Sequence, residues 1–239
     1  MRAQPEQQAP PVQRLRIRYA KRGRLRFTSH RDFSRAFERA VARARIPMAY
    51  SSGFNPHPRI SYAGAAPTGS ASEAEYLEIA LAEVVDPAAV HDSLTEAMPD
   101  GLDLLEVVES PGGALADLLQ GSRWAIDLAA PLGQARSAVE AFLAADEVTV
   151  ERMTKKGLRA FDARGAVVGL SAVQHGTGTR LDLVLRHVEP VVRPDDVVSG
   201  LQRVGGLLVG PEHGGVPLLT RLAQGPFDEA SGSIGDPLH

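Results

Sequence analysis

From residue 14 onward, arginines and apolar residues occupy alternate positions in the run RLRIRY. A period of two predicts a β-strand, with Leu15, Ile17 and Tyr19 on one face and the arginines on the other. The residues KRG that follow predict a turn. The run RLRF after the turn predicts a return to extended structure.

The apolar spacing then becomes helical between residues 30 and 45. The apolar positions fall at i, i+3, i+4, i+7, i+8 and i+11, at Phe33, Ala36, Phe37, Ala40, Val41 and Ala44. This spacing predicts a helix with one buried face. Ser29 is a favourable N-cap, Asp32 follows three residues later, and Pro47 ends the helix. A row of arginines at i+4 spacing lies away from the apolar face, at Arg31, Arg35, Arg39 and Arg43.

The next segments complete a recognisable order of elements. RISYAG and EAEYLEIALAE predict two strands, and DPAAVHDSLTEAMPDG predicts a helix that Asp86 caps and Pro87 begins. LDLLEVVES predicts a further strand. The order β-α-β-β-α-β over residues 14–110 is that of a ferredoxin-like unit with an antiparallel sheet.

A similar order begins again after a linker at residues 111–122. RWAIDLAA predicts a strand, LGQARSAVEAFLAAD a helix, and EVTVERMTKKGLRAFD two strands about a turn. TRLDLVLRHVE predicts a strand and RPDDVVSGLQRVGG a helix. We therefore predict an α+β protein of two tandem ferredoxin-like units, at residues 14–110 and 123–224. The lead at 1–13 and the tail at 225–239 are expected to be disordered.

The charge of the chain is unevenly distributed. Residues 1–60 contain 14 Lys and Arg against 3 Asp and Glu, whereas the remainder contains 12 against 26. Such segregation predicts one strongly positive region, although a solvated basic face without a ligand is the plainer interpretation. The absence of cysteine excludes disulfides, thiolate nucleophiles and cysteine-ligated clusters, and it is compatible with a reducing cytoplasm. No apolar run is long enough to span a bilayer.

The positive region predicts a polyanion site on the first strand and helix. Arginine binds phosphate through two parallel hydrogen bonds, and a helix N-terminus offers free N–H groups to an anion. His30 is expected either to contact a phosphate or transfer a proton there, or to be an ordinary helix-start residue. The candidate residues of this strand and helix are Arg16, Arg18, Arg24, Arg26, His30, Arg31, Arg35 and Arg39.

Two further segments are candidates for the same site. The irregular stretch YSSGFNPHPRIS, rigidified by two prolines, is expected to hold Asn55, His57 and Arg59 at defined positions, or else to be a structural turn. The hairpin turn with Lys155 and Lys156 forms a smaller basic patch, or else an ordinary exposed turn.

Sequence motifs for common reactions are absent. The chain has no phosphate-binding loop, no dinucleotide-binding glycine pattern and no nucleophile or zinc-protease motif. The seven histidines show no metal-ligand spacing. We therefore expect no metal and no cofactor, and we identify no catalytic apparatus beyond the candidates His30 and His57.

The basic region resembles the family of uncharacterised radical-SAM-linked proteins. The resemblance rests on the run RFTSHRDFSRAFER, on YSSGFNPHPRI and, more loosely, on KKGLRAFDAR. The matching residues are Arg26, Phe27, Ser29, His30, Asp32, Arg35, Arg39, Tyr50, Ser51, Gly53, Phe54, Asn55, Pro56, Pro58 and Ile60. The resemblance implies association with a radical SAM enzyme. Without cysteines this chain cannot hold the required cluster, so that enzyme would be a separate partner.

Three functions follow as expectations. The first is a cytoplasmic accessory protein that works with a separate radical SAM enzyme in RNA modification or processing. It would either bind RNA or present a substrate to that enzyme. The second is a metal-independent RNA-cleaving enzyme that uses His30 or His57. The third is a protein–protein adaptor with a basic docking face.

Overall fold

A computed structural model describes residues 7–155 and 157–239 of the chain. These residues form two compact units. Unit 1 comprises residues 7–118 and 237–239, and unit 2 comprises residues 119–236. Both units combine helices with an antiparallel sheet, so the predicted mixed α+β class is confirmed. Among the described residues, no helix has the length and apolar composition needed to cross a bilayer.

Unit 1 contains four strands and two helices. In chain order they are β1 (Gln13–Lys21), α1 (His30–Arg43), β2 (Ile60–Ala63), β3 (Ala71–Leu81), α2 (Pro87–Ala97) and β4 (Leu104–Glu109). β1 pairs with both β3 and β4, and β2 pairs with β3, each time antiparallel. The strand order is therefore β4-β1-β3-β2, with β1 and β3 central.

The apolar face of β1 builds the core of unit 1, as its alternation predicts. Leu15 and Ile17 are fully buried and lie opposite Ile79 and Leu77 of β3. The core is completed by the apolar faces of α1 and α2. From α1, the ring of Phe33 stacks on Tyr19 at 4.2 Å between centroids.

The predicted helix starts are confirmed in unit 1. The Ser29 hydroxyl accepts a hydrogen bond from the Asp32 amide at 3.2 Å and donates one to the Asp32 carboxylate at 2.7 Å. The Asp86 carboxylate accepts from the amide of Ala88 at 3.2 Å, directly before Pro87. In each case a side chain satisfies a backbone N–H that the first helical turn leaves unpaired.

The prediction that RLRF is extended is wrong. Gly23–Phe27 forms a short 3₁₀ turn, in which the amide of Leu25 donates to the carbonyl of Arg22 at 3.0 Å. Gly23 has a φ of +54°, a conformation that glycine adopts without steric cost. The turn packs Leu25 against the core of unit 1, which the strand pattern could not indicate.

Unit 2 contains six strands and two helices. They are β5 (Gly121–Leu128), α3 (Leu132–Ala144), β6 (Thr149–Thr154), β7 (Gly157–Asp162), β8 (Val167–His175), β9 (Gly178–Arg186), α4 (Pro194–Gly205) and β10 (Leu218–Gly225). The strands pair antiparallel in the order β10-β5-β9-β8, and β6 and β7 form a separate two-stranded hairpin. The alternation does not predict β10, because its leucines fall on both sides of the strand and Leu218 and Leu222 are exposed.

The two ends of the chain differ from the predicted disorder. Of the lead at 1–13, residues 1–6 lie outside the described residues, and the amide of Gln8 donates to the Ser52 hydroxyl at 3.0 Å. In the tail, the carboxylate of Asp228 accepts from the amide of Ala230 at 2.8 Å, and Leu238 is buried. The tail is therefore ordered, because a turn and a buried side chain fix it. The boundary between the units lies inside the predicted linker at 111–122.

Candidate nucleic-acid interface

Helix α1 exposes a row of cationic side chains. Arg31, Arg35 and Arg39 are exposed on the face opposite the buried Phe33 and Phe37. Within residues 7–155 and 157–239, none of these three arginines forms an ion pair. The acidic Asp32 and Glu38 lie on the same helix, and within the described residues neither forms an ion pair with these arginines. The i+4 spacing therefore places free guanidinium groups along one side of the helix.

The 3₁₀ turn before α1 adds two arginines and an aromatic ring. Arg24 is exposed. The guanidinium of Arg26 lies over the Phe27 ring at 4.4 Å from the centroid, and it donates to the Gly23 carbonyl at 3.2 Å. The Phe27 side chain is nevertheless 58% exposed. A cation and an accessible ring are thus held together directly before the first turn of α1.

His30 begins α1 and contacts an aromatic residue of β2. Its exposed ring meets Tyr62 edge to face, with 4.9 Å between centroids. The Tyr62 hydroxyl is buried without a well-aligned hydrogen bond among the described residues, and the Ser34 hydroxyl beside it donates to the His30 carbonyl. Burial raises the pKa of Tyr62, and the nearby Glu38 carboxylate raises it further. The Ser34 hydroxyl acts in the opposite direction. His30 thus rests on a neutral phenol.

The loop between α1 and β2 is closed by its own hydrogen bonds. The amide of Ser51 donates to the His57 carbonyl at 2.9 Å, and the His57 amide donates to the Ser51 hydroxyl at 3.0 Å. Tyr50 and Pro58 form an isolated antiparallel bridge. The exposed tip carries Phe54, Asn55 and His57, and these hydrogen bonds fix the backbone on either side of it.

Arg59 has a structural contact that the sequence did not indicate. It is half-buried, and its Nε donates to the Tyr50 carbonyl at 3.0 Å. This bond ties the end of the loop to its beginning. Arg59 therefore supports the loop at the same time as it contributes charge.

The arginine face of β1 does not form an exposed cationic surface. Arg16 is 1% exposed, and its guanidinium donates to Glu78 at 3.4 Å, to the Gly112 carbonyl at 2.7 Å and to the Pro237 carbonyl at 3.1 Å. The prediction that Arg16 faces a polyanion is therefore wrong, because a carboxylate and backbone carbonyls enclose it. Arg18 is half-buried.

Two further arginines near β1 are paired with acids from later in the chain. Arg14 donates to Glu78 at 2.9 Å. Arg22 donates to Asp103 at 2.8 Å and also contacts Glu73, and the hydrogen bond to Glu73 raises the pKa of Arg22. Part of the positive charge of the first 60 residues is thus neutralised within unit 1.

The predicted basic hairpin belongs to unit 2. Lys155 is exposed at the turn between β6 and β7, and Lys156 lies outside the described residues. Arg152 holds the base of the hairpin, because it donates to Asp196 of α4 at 2.6 Å and to the Val191 carbonyl at 3.0 Å. The hairpin is therefore part of unit 2, whereas α1 is part of unit 1.

We call the surface formed by α1, the 3₁₀ turn and the loop at 50–59 the basic surface. From the predicted residues it contains Arg24, Arg26, His30, Arg31, Arg35, Arg39, Asn55, His57 and Arg59. The two exposed rings Phe27 and Phe54 also belong to it, although neither is among the site residues predicted from the sequence. A signal was present: Phe54 directly follows the turn-forming Gly53, and Phe27 comes four residues after Gly23.

These features define an α+β protein whose first unit presents an exposed arginine row between two accessible aromatic rings. The chain belongs to a bacterial family described as an uncharacterized protein conserved in bacteria (DUF2344), which matches residues 14–194. That description includes no activity, cofactor or partner. No curated protein matches the sequence.

Proposed function

We propose that the protein binds RNA through the basic surface. The observation that carries this proposal is the row Arg31, Arg35 and Arg39, which is exposed and unpaired among the described residues. Other exposed arginines of unit 1, Arg14 and Arg22, are paired with acidic residues. A row left without such neighbours is suited to a ligand that carries its own negative charges in a line.

The chemistry of the row fits phosphate groups. Guanidinium donates two parallel hydrogen bonds to a phosphate and keeps its charge at every physiological pH. Binding would release counterions from the RNA, so that affinity falls steeply as salt increases. The half-buried Arg59 and the enclosed Arg16 take little part in this binding.

The biological role remains part of the same proposal. The protein would be a cytoplasmic accessory protein that presents RNA to a separate radical SAM enzyme. Of this role, the resemblance of the sequence implies only the association with such an enzyme. The lack of cysteine supports the accessory role, since this chain cannot bind the cluster itself. We also propose that both units are ferredoxin-like. The orders β4-β1-β3-β2 and β10-β5-β9-β8 support this, with the β6–β7 hairpin inserted in unit 2.

A matched set of variants tests RNA binding. Arg35→Gln with Arg39→Gln removes two charges and retains good helix formers on an exposed face. Arg136→Gln is the control, because Arg136 is an exposed arginine on α3 of unit 2. Fluorescence anisotropy with a labelled RNA oligonucleotide, over a series of salt concentrations starting near ~50 mM, measures affinity and its salt slope.

The double variant is expected to bind more weakly and to lower the salt slope by about 2, one for each lost phosphate contact. The control is expected to match the wild type. If the wild-type protein shows no binding at the lowest salt, or if the control loses as much affinity as the double variant, the proposal is wrong.

RNA cleavage by His30 or His57 is a weaker alternative. The two residues lie at opposite ends of α1, because His30 begins the helix and His57 lies in the loop after it. A concerted acid–base pair needs both groups at one phosphate. Incubating RNA with the protein in EDTA tests this alternative, which requires cleavage that is lost in His30→Ala or His57→Ala. A basic docking face for an acidic protein would instead give a partner that stays bound after nuclease treatment.

A further inference from the structure

The tip of the loop at 50–59 exposes an aromatic ring on a rigid support. The Phe54 side chain is 66% exposed. The bonds between Ser51 and His57 close the loop on both sides of the tip, and Gly53 has a φ of +128°, which glycine tolerates best. The ring is therefore held in water by a fixed backbone. An aromatic side chain in this setting offers a flat apolar face to a ligand.

The other end of the basic surface has the same combination of groups. Phe27 is 58% exposed and lies against Arg26. Tyr50, at the base of the loop, is also partly exposed, at 44%. Aromatic and cationic side chains are thus mixed on this surface. Arginine rows that bind only a backbone do not require accessible rings.

The fold places the two rings at opposite ends of the arginine row. Phe27 directly precedes α1, and the loop with Phe54 follows it. Because α1 leads from the end of β1 back toward the start of β2, the loop lies where β1 begins, and the bond from Gln8 to Ser52 agrees with this position. Arg31 and Arg43 are 12 residues apart on α1, which is roughly 18 Å at the rise of an α-helix.

We infer that the basic surface binds single-stranded RNA, with an unpaired base stacked on Phe54. The inference rests on the proposed function and specifies the form of its ligand. Stacking needs a base whose face is free, which a duplex does not offer. The amide of Asn55, next to Phe54 and exposed, can donate to and accept from the edge of the stacked base. The arginine row contacts the phosphates of the same strand.

The test compares single-stranded and duplex RNA on three proteins: the wild type, Phe54→Ala and Phe54→Trp. The probe is a uridine-rich single strand that carries one 2-aminopurine, and the comparison is a blunt-ended RNA duplex of equal length. Phe54→Ala is expected to weaken single-strand binding between about 5-fold and 150-fold, which is 1–3 kcal/mol per stacked base at 1.4 kcal/mol per tenfold. Phe54→Trp is expected to retain binding, since tryptophan stacks at least as well.

Four readouts separate stacking from a general loss. The 2-aminopurine fluorescence is expected to be quenched by the wild type and by Phe54→Trp, and not by Phe54→Ala. The salt slope is expected to be unchanged in Phe54→Ala, in contrast to the double arginine variant. Duplex RNA is expected to bind more weakly than the single strand, and equally to all three proteins. Because the side chain is exposed, thermal unfolding of the three proteins is expected to coincide.

The outcomes distinguish this inference from the proposed function. If single-stranded and duplex RNA bind equally and Phe54→Ala has no effect, the inference is wrong and RNA binding through the arginines stands. If the wild type binds neither RNA, the proposed function fails and the inference fails with it. Quenching that is lost only in Phe54→Ala supports both.

Discussion

Arg16 and Glu78 form an ion pair inside unit 1. The Nε of Arg16 donates to Oε2 of Glu78 at 3.4 Å, and the same carboxylate accepts from Arg14 at 2.9 Å and from the Ser110 hydroxyl at 2.8 Å. The remaining donors of Arg16 reach the carbonyls of Gly112 and Pro237. A buried guanidinium is tolerated only when its donors are used in this way. Arg16 therefore joins β1 and β3 to two segments that cover the sheet.

Arg16→Met is expected to destabilise the protein by about 3–5 kcal/mol. The change leaves the Glu78 carboxylate buried with a weaker counter-charge and removes the bonds to the two carbonyls. Urea unfolding measures the loss. Arg14→Met is the control, because Arg14 is half exposed and its removal is expected to cost about 1 kcal/mol or less. Equal losses in the two variants would contradict a structural role specific to Arg16.

The folded fraction of Arg16→Met is also expected to bind RNA like the wild type, because the side chain is enclosed. An affinity loss comparable to that of the double arginine variant on α1 would place Arg16 in the basic surface after all. Anisotropy measured under conditions where the variant is folded decides between these outcomes.

Arg152→Met is expected to loosen the β6–β7 hairpin. Arg152 donates to the buried carboxylate of Asp196 at 2.6 Å and lies over the Phe161 ring at 4.8 Å. Its removal leaves the Asp196 carboxylate buried without its ion-pair partner. The free energy of unfolding is expected to fall by an amount toward the lower end of roughly 3–5 kcal/mol, since Arg152 is partly exposed. Hydrogen exchange of the hairpin amides is expected to accelerate. Arg159→Met, an exposed change on the same hairpin, is the control.

The pH dependence of Arg152→Met follows from the same pair. Burial raises the pKa of Asp196, opposed by the amide of Arg193 and by Arg152. Without Arg152 the charged carboxylate is disfavoured further, so the stability deficit of the variant is expected to shrink as pH falls and Asp196 takes up a proton. A deficit that is independent of pH would show that Arg152 acts through packing on Phe161 alone.

Much of the fold could be predicted from the sequence, because most elements carry a local pattern. The alternation around Leu15, the helical spacing around Phe37 and the caps at Ser29 and Asp86 each depend on neighbours within a few residues. Where the pattern was local, the predicted elements agree with the observed ones. The 3₁₀ turn at Gly23–Phe27 differs, because its conformation depends on where Leu25 packs.

The fate of individual arginines could not be predicted in this way. Alternation places Arg16 on the polar face of β1, but its burial depends on Glu78, 62 residues away, and on Pro237, 221 residues away. Regional charge counts did not reveal this pairing. Likewise, the exposure of Phe54 depends on how the loop closes between Ser51 and His57. The composition of the site depends on contacts between distant residues, whereas its helix is encoded locally.

Tyr62→Phe is expected to leave stability unchanged or to raise it by up to about 1 kcal/mol. The Tyr62 hydroxyl is buried without a well-aligned partner among the described residues, so its removal relieves a desolvation cost. The ring itself packs edge to face on Phe33 and His30 and is retained in phenylalanine. Urea unfolding shows whether the change in stability is a gain or a loss.

Tyr62→Ala is expected to cost on the order of 3 kcal/mol of stability, because the ring contacts are lost. A clear loss in Tyr62→Phe would mean that the hydroxyl is bonded, with Ser34 as the candidate.

Unfolding stability is expected to fall below about pH 6.5 because of His187. In the neutral ring, Nδ1–H donates to the Leu119 carbonyl at 2.7 Å and Nε2 accepts from the Ser122 hydroxyl at 3.0 Å, so the neutral form has both of its ring nitrogens bonded. Burial lowers the pKa of His187, and the nearby Arg221 lowers it further. The hydrogen bond to the Leu119 carbonyl acts in the opposite direction. The unfolded ring, with a pKa near 6.5, therefore takes up a proton before the folded one, and stability present above that pH is lost as pH falls toward the folded pKa. Thermal unfolding from neutral to mildly acidic pH measures this loss.

His187→Gln is expected to be less stable at neutral pH and to show a flatter dependence of stability on pH. The exposed-site control His57→Gln is expected to keep the wild-type slope. A wild-type slope in His187→Gln would assign the acid sensitivity to another group.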